Sequence, residues 1–247
     1  MKFLLDVHCH TISSGHAYST VTENAAHAQA MGLTHIGMAD HGPKMPGASH
    51  FYHFSNQRAL PDEIHGVQVL KGVEVNILDT AGSVDLPDEQ LVGMDFVIAS
   101  LHRGVVPPGD KAFSTQAAIA VMNNPMVSIL GHPADVFFPL DLQAVAEAAA
   151  HTYTIIEINE QSLIPGAFRY HGDDTLRALL QWCKMLRVPV LASSDAHYHT
   201  SVGQMDRAKA LILDAGIDEQ LVLNTDPARF LAAVKKKREV LASELPG

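Results

Sequence analysis

The stretch FLLDVHCHTISSGHAYSTVTENAAHAQAMGLTHIGMADH, residues 3–41, decides the fold. Its apolar opening predicts a strand over 3–8, and a helical pattern follows over 20–31. Thr20 and Glu23 have capping-box spacing, and Gly32 suits the stop of that helix. A second strand is predicted over 34–40, so the segment reads as one strand–helix–strand unit with parallel strands. Both strands end in polar residues, the first in His8 and His10 and the second in Asp40 and His41.

The same unit recurs along the chain. Further strands are predicted over 67–75, 95–101, 126–131, 153–158 and 188–194. Helical patterns lie at 114–123, 141–150, 174–186, 204–215 and 226–243, and the turn chemistry opening 77–94 predicts a small hairpin. Strands alternating with helices imply parallel βα units. Seven of them in about 200 residues favour a closed or nearly closed, TIM-like (β/α)7 barrel, with a doubly wound sheet as the alternative. No linker or low-complexity stretch divides the chain, so residues 1–247 are expected to form one domain.

The remaining strand ends continue the pattern. Glu74 closes the third predicted strand, His102 the fourth and His132 the fifth; Glu157 and Asn159 close the sixth, and Asp195 and His197 the seventh. The intervals are 31 (10 to 41), 33 (41 to 74), 28 (74 to 102) and 30 (102 to 132), the length of one βαβ repeat. A single histidine at a strand end is usually structural. Seven strands delivering metal-ligand chemistry to the end of a barrel where active sites form are not coincidence. His8 and His10 are two apart and share a face, Cys9 points the other way as a small buried hydrophobe, and Asp6 is expected on the histidine face. His16, in the loop after the first strand, joins the same mouth.

Composition narrows the function. With 47% hydrophobic and 18% charged residues the chain is globular, and no apolar run reaches a membrane span or forms a signal-peptide core. Two cysteines, Cys9 and Cys183, offer no disulfide framework, which places the chain by default in the cytoplasm. A net charge of −10 argues against a general nucleic-acid surface.

The motifs DVHCHT (6–11), ADHG (39–42), GVEVN (72–76), LH (101–102), GHP (131–133) and SSDAH (193–197) resemble the PHP (polymerase and histidinol phosphatase) family over essentially the whole chain. Within it the chain looks most like the stand-alone YcdX-type bacterial phosphatases, described as distorted (β/α)7 barrels with three zincs. The resemblance implies that His8, His10, Glu74 and Asp195 hold one ion. Glu74, His102 and His132 would hold a second, and His16, His41 and His197 a third. It also suggests a homo-oligomer, such as a trimer. Imidazole and carboxylate ligands suit Zn²⁺ first and Mn²⁺ second. Three such ions would offset the negative net charge at one spot.

The expected activity is hydrolysis of small phosphate monoesters, with a metal-bridging hydroxide attacking phosphorus in line. Glu74 and Asp195 would be catalytic as ligands, and Arg103 would clamp a phosphate oxygen. Arg169, His50, His53, His171 and His199 are loop residues that could touch substrate, while Glu157 and Asn159 would support ligands or contact substrate. His27, His35, His65 and His151 are read as structural, Trp182 as core or oligomer contact, and Lys235–Arg238 as a solvated helix face. Histidinol-phosphate phosphatase and nucleotide phosphoesterase are alternatives within the family. An amidohydrolase would place a carboxylated lysine where His102 stands, and a non-catalytic metal module would not need every ligand position filled.

Overall fold

Glycine and aromatic residues decide how the barrel fills. A Cβ on Gly37 or Gly72 would lie 2.7 or 2.3 Å from the Phe96 ring, so both strands must carry glycine there for that ring to occupy the interior. Around it pack Leu5, Val7, Leu70, Ile98, Ile129, Ile155 and Leu191, with Leu223, Phe230 and Val234 closing the bottom. This inner core is separate from a larger apolar layer between strands and helices, which holds Val73, Val97, Ile156, Val190 and residues of the surrounding helices.

The computed structural model describes residues 1–167, 170 and 173–244. Its strands are β1 (Leu5–Cys9), β2 (His35–Met38), β3 (Glu63–Ile64), β4 (Val67–Asn76), β5 (Phe96–Ser100), β6 (Ile129–Leu130), β7 (Ile155–Asn159) and β8 (Val190–Ser193). The α-helices are α1 (Val21–Ala30), α2 (Tyr52–Ser55), α3 (Asp88–Leu91), α4 (Lys111–Met122), α5 (Leu142–Thr152), α6 (Asp173–Leu186), α7 (Asp206–Asp214) and α8 (Pro227–Glu244). Hydrogen bonding runs in parallel through β1-β2-β4-β5-β6-β7-β8, a seven-strand path, and β3 pairs antiparallel with β4 at its edge. The expected TIM-like barrel is therefore the fold. Among the described residues no helix is long and apolar enough to cross a membrane.

The path closes between β8 and β1 without a full ladder. At the top, Cys9 and Ala196 form one parallel bridge. Lower down, the Asn224 side chain stands between the strands: its amide donates to the carbonyls of Leu5 (2.9 Å) and Ala192 (2.8 Å), and its oxygen accepts from Ala192 N–H (2.7 Å). Asp6 adds a second clamp, accepting from the backbone N–H groups of Ser194 and Gly203.

That clamp corrects the reading of Asp6. Strict alternation put it on the face of His8 and His10, but β1 carries an irregularity between Asp6 and Cys9. Leu5 and Val7 face the interior and Cys9 the outer layer, so the shift turns Asp6 outward and then both histidines inward. The capping box at Thr20 and Glu23 is present, and Gly32 takes φ +76° just past α1. The expected hairpin over 77–94 reduces to one bridge, Ile77 to Val84, ahead of the short α3. A true hairpin occurs instead at 63–68, where His65 (φ 53°) and Gly66 (φ 76°) form its two-residue turn.

The basic run on α8 also departs from expectation. Lys235 pairs with Glu239 and Lys236 lies over the Tyr153 ring, but Lys237 is buried and Arg238 reaches inward to the Met94 carbonyl at 2.8 Å. Lys237 Nζ donates to Met122 O, the last carbonyl of α4, at 2.7 Å and to Thr154 Oγ1. Burial lowers its pKa from 10.5 to about 7. Between these values the unfolded chain holds a proton that the folded chain does not, so this group makes stability rise with pH from about 7 to about 10.5. Lys237→Met is expected to flatten that rise. Denaturation curves at pH 7 and 10 test it, and an identical pH slope in wild type and variant would refute the assignment.

Candidate metal centre

Inward-facing positions continue upward from the apolar interior into the mouth. On β4, Gly72, Glu74 and Asn76 follow one another on the inner face; on β7, Ile155, Glu157 and Asn159 do the same; on β8, Leu191 is followed by Ser193, with Asp195 just beyond the strand's end. The barrel thus stacks hydrocarbon below and buried imidazoles and carboxylates above. His8, His10, His41, Glu74, His102, His132 and Asp195 are all buried, whereas His197 is about a third exposed and His16 lies open at the rim.

Glu74 is the hub. Its Oε1 lies 3.0 Å from His132 Nε2 and 3.2 Å from His102 Nε2, and those two nitrogens are 3.2 Å apart. Ligands at 2.0–2.1 Å around a tetrahedral ion are separated by about 3.3 Å, so this triangle has the dimensions of one face of such a site. Glu74 Oε2 faces the other way, 3.4 Å from His8 Nε2 and 3.7 Å from His10 Nε2. Asp195 Oδ1 completes that second group at 3.1 Å from His10 Nε2 and 3.7 Å from His8 Nε2.

Beyond them the imidazoles of His16, His41 and His197 cluster, with centroids 4.9 Å apart for His16 and His41 and 4.8 Å for His16 and His197. His41 also leans toward the bridged groups, its Nδ1 2.6 Å from Glu74 Oε2. Ligating atoms of His10, His41 and His197 lie within 4.8 Å of one another, as do those of His8, His10 and Glu74, and those of His41, Glu74 and His102.

Three of these atoms, His8 Nε2, His41 Nδ1 and Glu74 Oε2, are buried without a hydrogen-bond partner. Buried polar atoms are normally paired, and lone pairs that converge without meeting a donor are what a cation would satisfy. The donor set therefore fits divalent ions. The second nitrogen of several rings is already engaged. His8 Nδ1 lies 2.5 Å from Glu157 Oε1, His10 Nδ1 3.0 Å from Ser14 Oγ, and His102 Nδ1 2.8 Å from Asn76 Oδ1. Such contacts fix ring orientation and tautomer. Asn76 is anchored by Asp85, whose carboxylate fills the space where a Cβ on Gly42 would sit. His132 (φ 25°) and Asp195 (φ 51°) adopt left-handed backbone, a conformation non-glycine residues favour little and one enriched at functional sites.

Charge follows the same arrangement. Burial would raise the Glu74 carboxyl, but the imidazoles of His102, His8 and His41 hold it well below the usual range. Burial and the neighbouring rings of His41 and His197 lower His16 to about 4. Asp40 lies outside the cluster. Burial opposes its ionisation, but His53 at 3.0 Å, together with Thr11 and Ser14, holds it at about 2.

The other expected residues divide. Arg103 follows His102 at the rim, its guanidinium 4.4 Å over the Phe137 ring. His53 is turned to Asp40, His199 bonds Ser19, and exposed His50 packs against Phe51 and Tyr52. Arg169 and His171 lie outside the described residues. Sequence reasoning assigned no role to Ser14 or Asn76. Asn76 could have been found, because it stands two residues beyond Glu74 on the same face of β4.

A family model described as PHP domain matches residues 6–160. A probable phosphatase of Thermoanaerobacter sp. (strain X514) is 44% identical over 245 residues, covering 99% of each chain. One from Acetivibrio thermocellus is 40% identical, over 97% of this chain and 98% of its own. Among solved structures, histidinol phosphate phosphatase from Lactococcus lactis, crystallised with zinc, L-histidinol and phosphate, matches with TM-score 0.59 at 19% identity. That match covers 87% of this chain and 94% of the other, and it shows a shared fold.

Proposed function

The chain belongs to the PHP domain family, and from that premise we propose that it is a phosphatase acting on small phosphate monoesters at a centre of three divalent ions. The observation that carries this reading is Glu74, whose two oxygens face two separate groups of ligand-type atoms, with Oε2 itself and His8 Nε2 lacking a hydrogen-bond partner. His8, His10, Glu74 and Asp195 would hold one ion, Glu74, His102 and His132 the second, and His16, His41 and His197 the third. The nitrogen and oxygen ligands favour zinc, then manganese. Bound ions would activate a water and neutralise charge on the phosphoryl oxygens.

The protein's own part is placement. Exposure rises from the buried pair to His197 and His16, so a substrate enters over the third group. Arg103, with its guanidinium over the Phe137 ring beside His102, is placed to bind a non-bridging phosphate oxygen. The rim near Asp195 and His197 opens on a cavity of about 430 Å³ that includes Tyr18, Gln161 and Tyr198, room for the alcohol part of a small ester.

Zinc-loaded protein is expected to turn over p-nitrophenyl phosphate with saturation, and Arg103→Ala to raise KM about tenfold, the loss of one charge-assisted hydrogen bond. Hydrolysis of a cyclic amide with no phosphate release would overturn the phosphatase reading in favour of amide chemistry. A screen including histidinol phosphate and nucleoside monophosphates would then name the substrate.

A further inference from the structure

Two carboxylates are wholly buried among the ligands, and their surroundings are opposite. Glu74 Oε2 makes no hydrogen bond, although His41 Nδ1 crowds it at 2.6 Å. Glu157 meets four: His8 Nδ1 (2.5 Å) and Ser193 Oγ–H (2.5 Å) at Oε1, and His132 N–H (2.5 Å) and Asn159 Nδ2–H (3.2 Å) at Oε2. An ionised carboxylate has about four lone-pair positions, so these donors fill Glu157 completely.

We propose that Glu157 is a positioning residue and not a metal ligand, presetting one ligand in each of the two groups that share Glu74. The proposal rests on the metal-centre reading above. A neutral imidazole carries one N–H. Donating it from Nδ1 to Glu157 leaves the His8 lone pair on Nε2, the unpartnered atom facing Glu74 and Asp195. At His132 the carboxylate acts on the backbone. The accepted N–H holds a residue at φ 25°, and from that conformation its Nε2 reaches Glu74 Oε1 and His102 Nε2. Asn159 extends the device, because its amide also donates to Asp195 Oδ2 at 3.2 Å. Among the described residues, His16, His41 and His197 make no hydrogen bond to Glu157, so the third group lies outside its control.

Glu157→Gln has the same shape with one oxygen replaced by NH₂. The His132 N–H cannot become an acceptor, so the remaining oxygen stays there and the NH₂ faces His8 Nδ1 and Ser193. His8 must then accept at Nδ1 and carry its proton on Nε2, where it cannot bind an ion. Competition against a chromophoric zinc chelator is expected to show wild type holding three ions. In Glu157→Gln the two ions of the shared pair should weaken by about 10- to 100-fold, with the third unchanged. Two-bond ¹H–¹⁵N spectra of the zinc-treated proteins should show His8 switching from the Nδ1–H to the Nε2–H tautomer, a change that a merely structural role would not cause. Should the amide variant not fold, Glu157→Asp keeps the charge on a shorter arm and is expected to weaken the same two ions. Equal affinity for all three ions in variant and wild type would overturn the proposal. So would uniform weakening of all three, or a zinc-loaded crystal with a Glu157 oxygen about 2 Å from an ion. Wild-type protein that takes up no zinc overturns the metal-centre reading, and this proposal with it.

Discussion

Glu74→Gln is expected to lower kcat/KM for p-nitrophenyl phosphate by about 10³-fold or more and to leave the protein short of at least one ion. Loss of a single preorganised donor at a reacting oxygen costs about 10²–10³-fold elsewhere. Glu74 serves two groups at once, with Oε1 turned to His102 and His132 and Oε2 to His8 and His10. An amide in its place offers one acceptor and so serves one group. The substitution also removes the charge that the imidazoles of His102, His8 and His41 stabilise. A carboxyl held below its ordinary value of 4.5 contributes stability above that pH and loses it as the pH falls through the folded value. Metal-free Glu74→Gln should therefore differ most from wild type near neutrality and least in acid. Kinetics with metal analysis tests the first part, and a variant with full activity and its full set of ions would remove Glu74 from the centre of the site.

Exhaustive chelation is the second large effect. Turnover is expected to fall below about 1% and to return with zinc, and to a lesser degree with manganese. Stability should fall with it. Each ion present at about 1,000 times its dissociation constant adds about 4 kcal/mol. A chain of 247 residues gains about 2–4 °C in Tm per kcal/mol, so the metal-free protein should melt at least about 10 °C lower. Calorimetry with and without chelator measures this directly. Equal melting points and equal turnover would show that the buried rings need no ion.

The barrel and the inward-facing polar residues at its mouth were legible because both follow from periodicity. Strand positions two apart share a face, and polar residues recur at the same end of each unit, which is how His8, Glu74, His102, His132 and Asp195 could be read together. The errors lie where a local irregularity or a distant partner intervenes. Asp6 was placed on the wrong face because the β1 irregularity shifts the phase, and nothing in DVHCHT announces it. Lys237 was read as solvated because the carbonyl of Met122 that holds it lies 115 residues away in sequence. The saturation of Glu157 was invisible for the same reason. Its donors come from β1, β7, the β6 end and β8, and no spacing rule connects them.

The weakly laddered junction between β1 and β8 has a consequence for folding order. It joins residues near the start of the chain to Ser194, Gly203 and Asn224, the longest sequence separations in the barrel. Contacts of that kind carry the largest loop-closure cost, so neighbouring βα units can assemble before this junction shuts. His8 and His10 lie on one side of it and Asp195 on the other. A chain that has built every unit but the last consequently has His102 and His132 in place and no complete set around His8. Zinc added during refolding should reach that set only in the final kinetic phase, when the first and last strands meet.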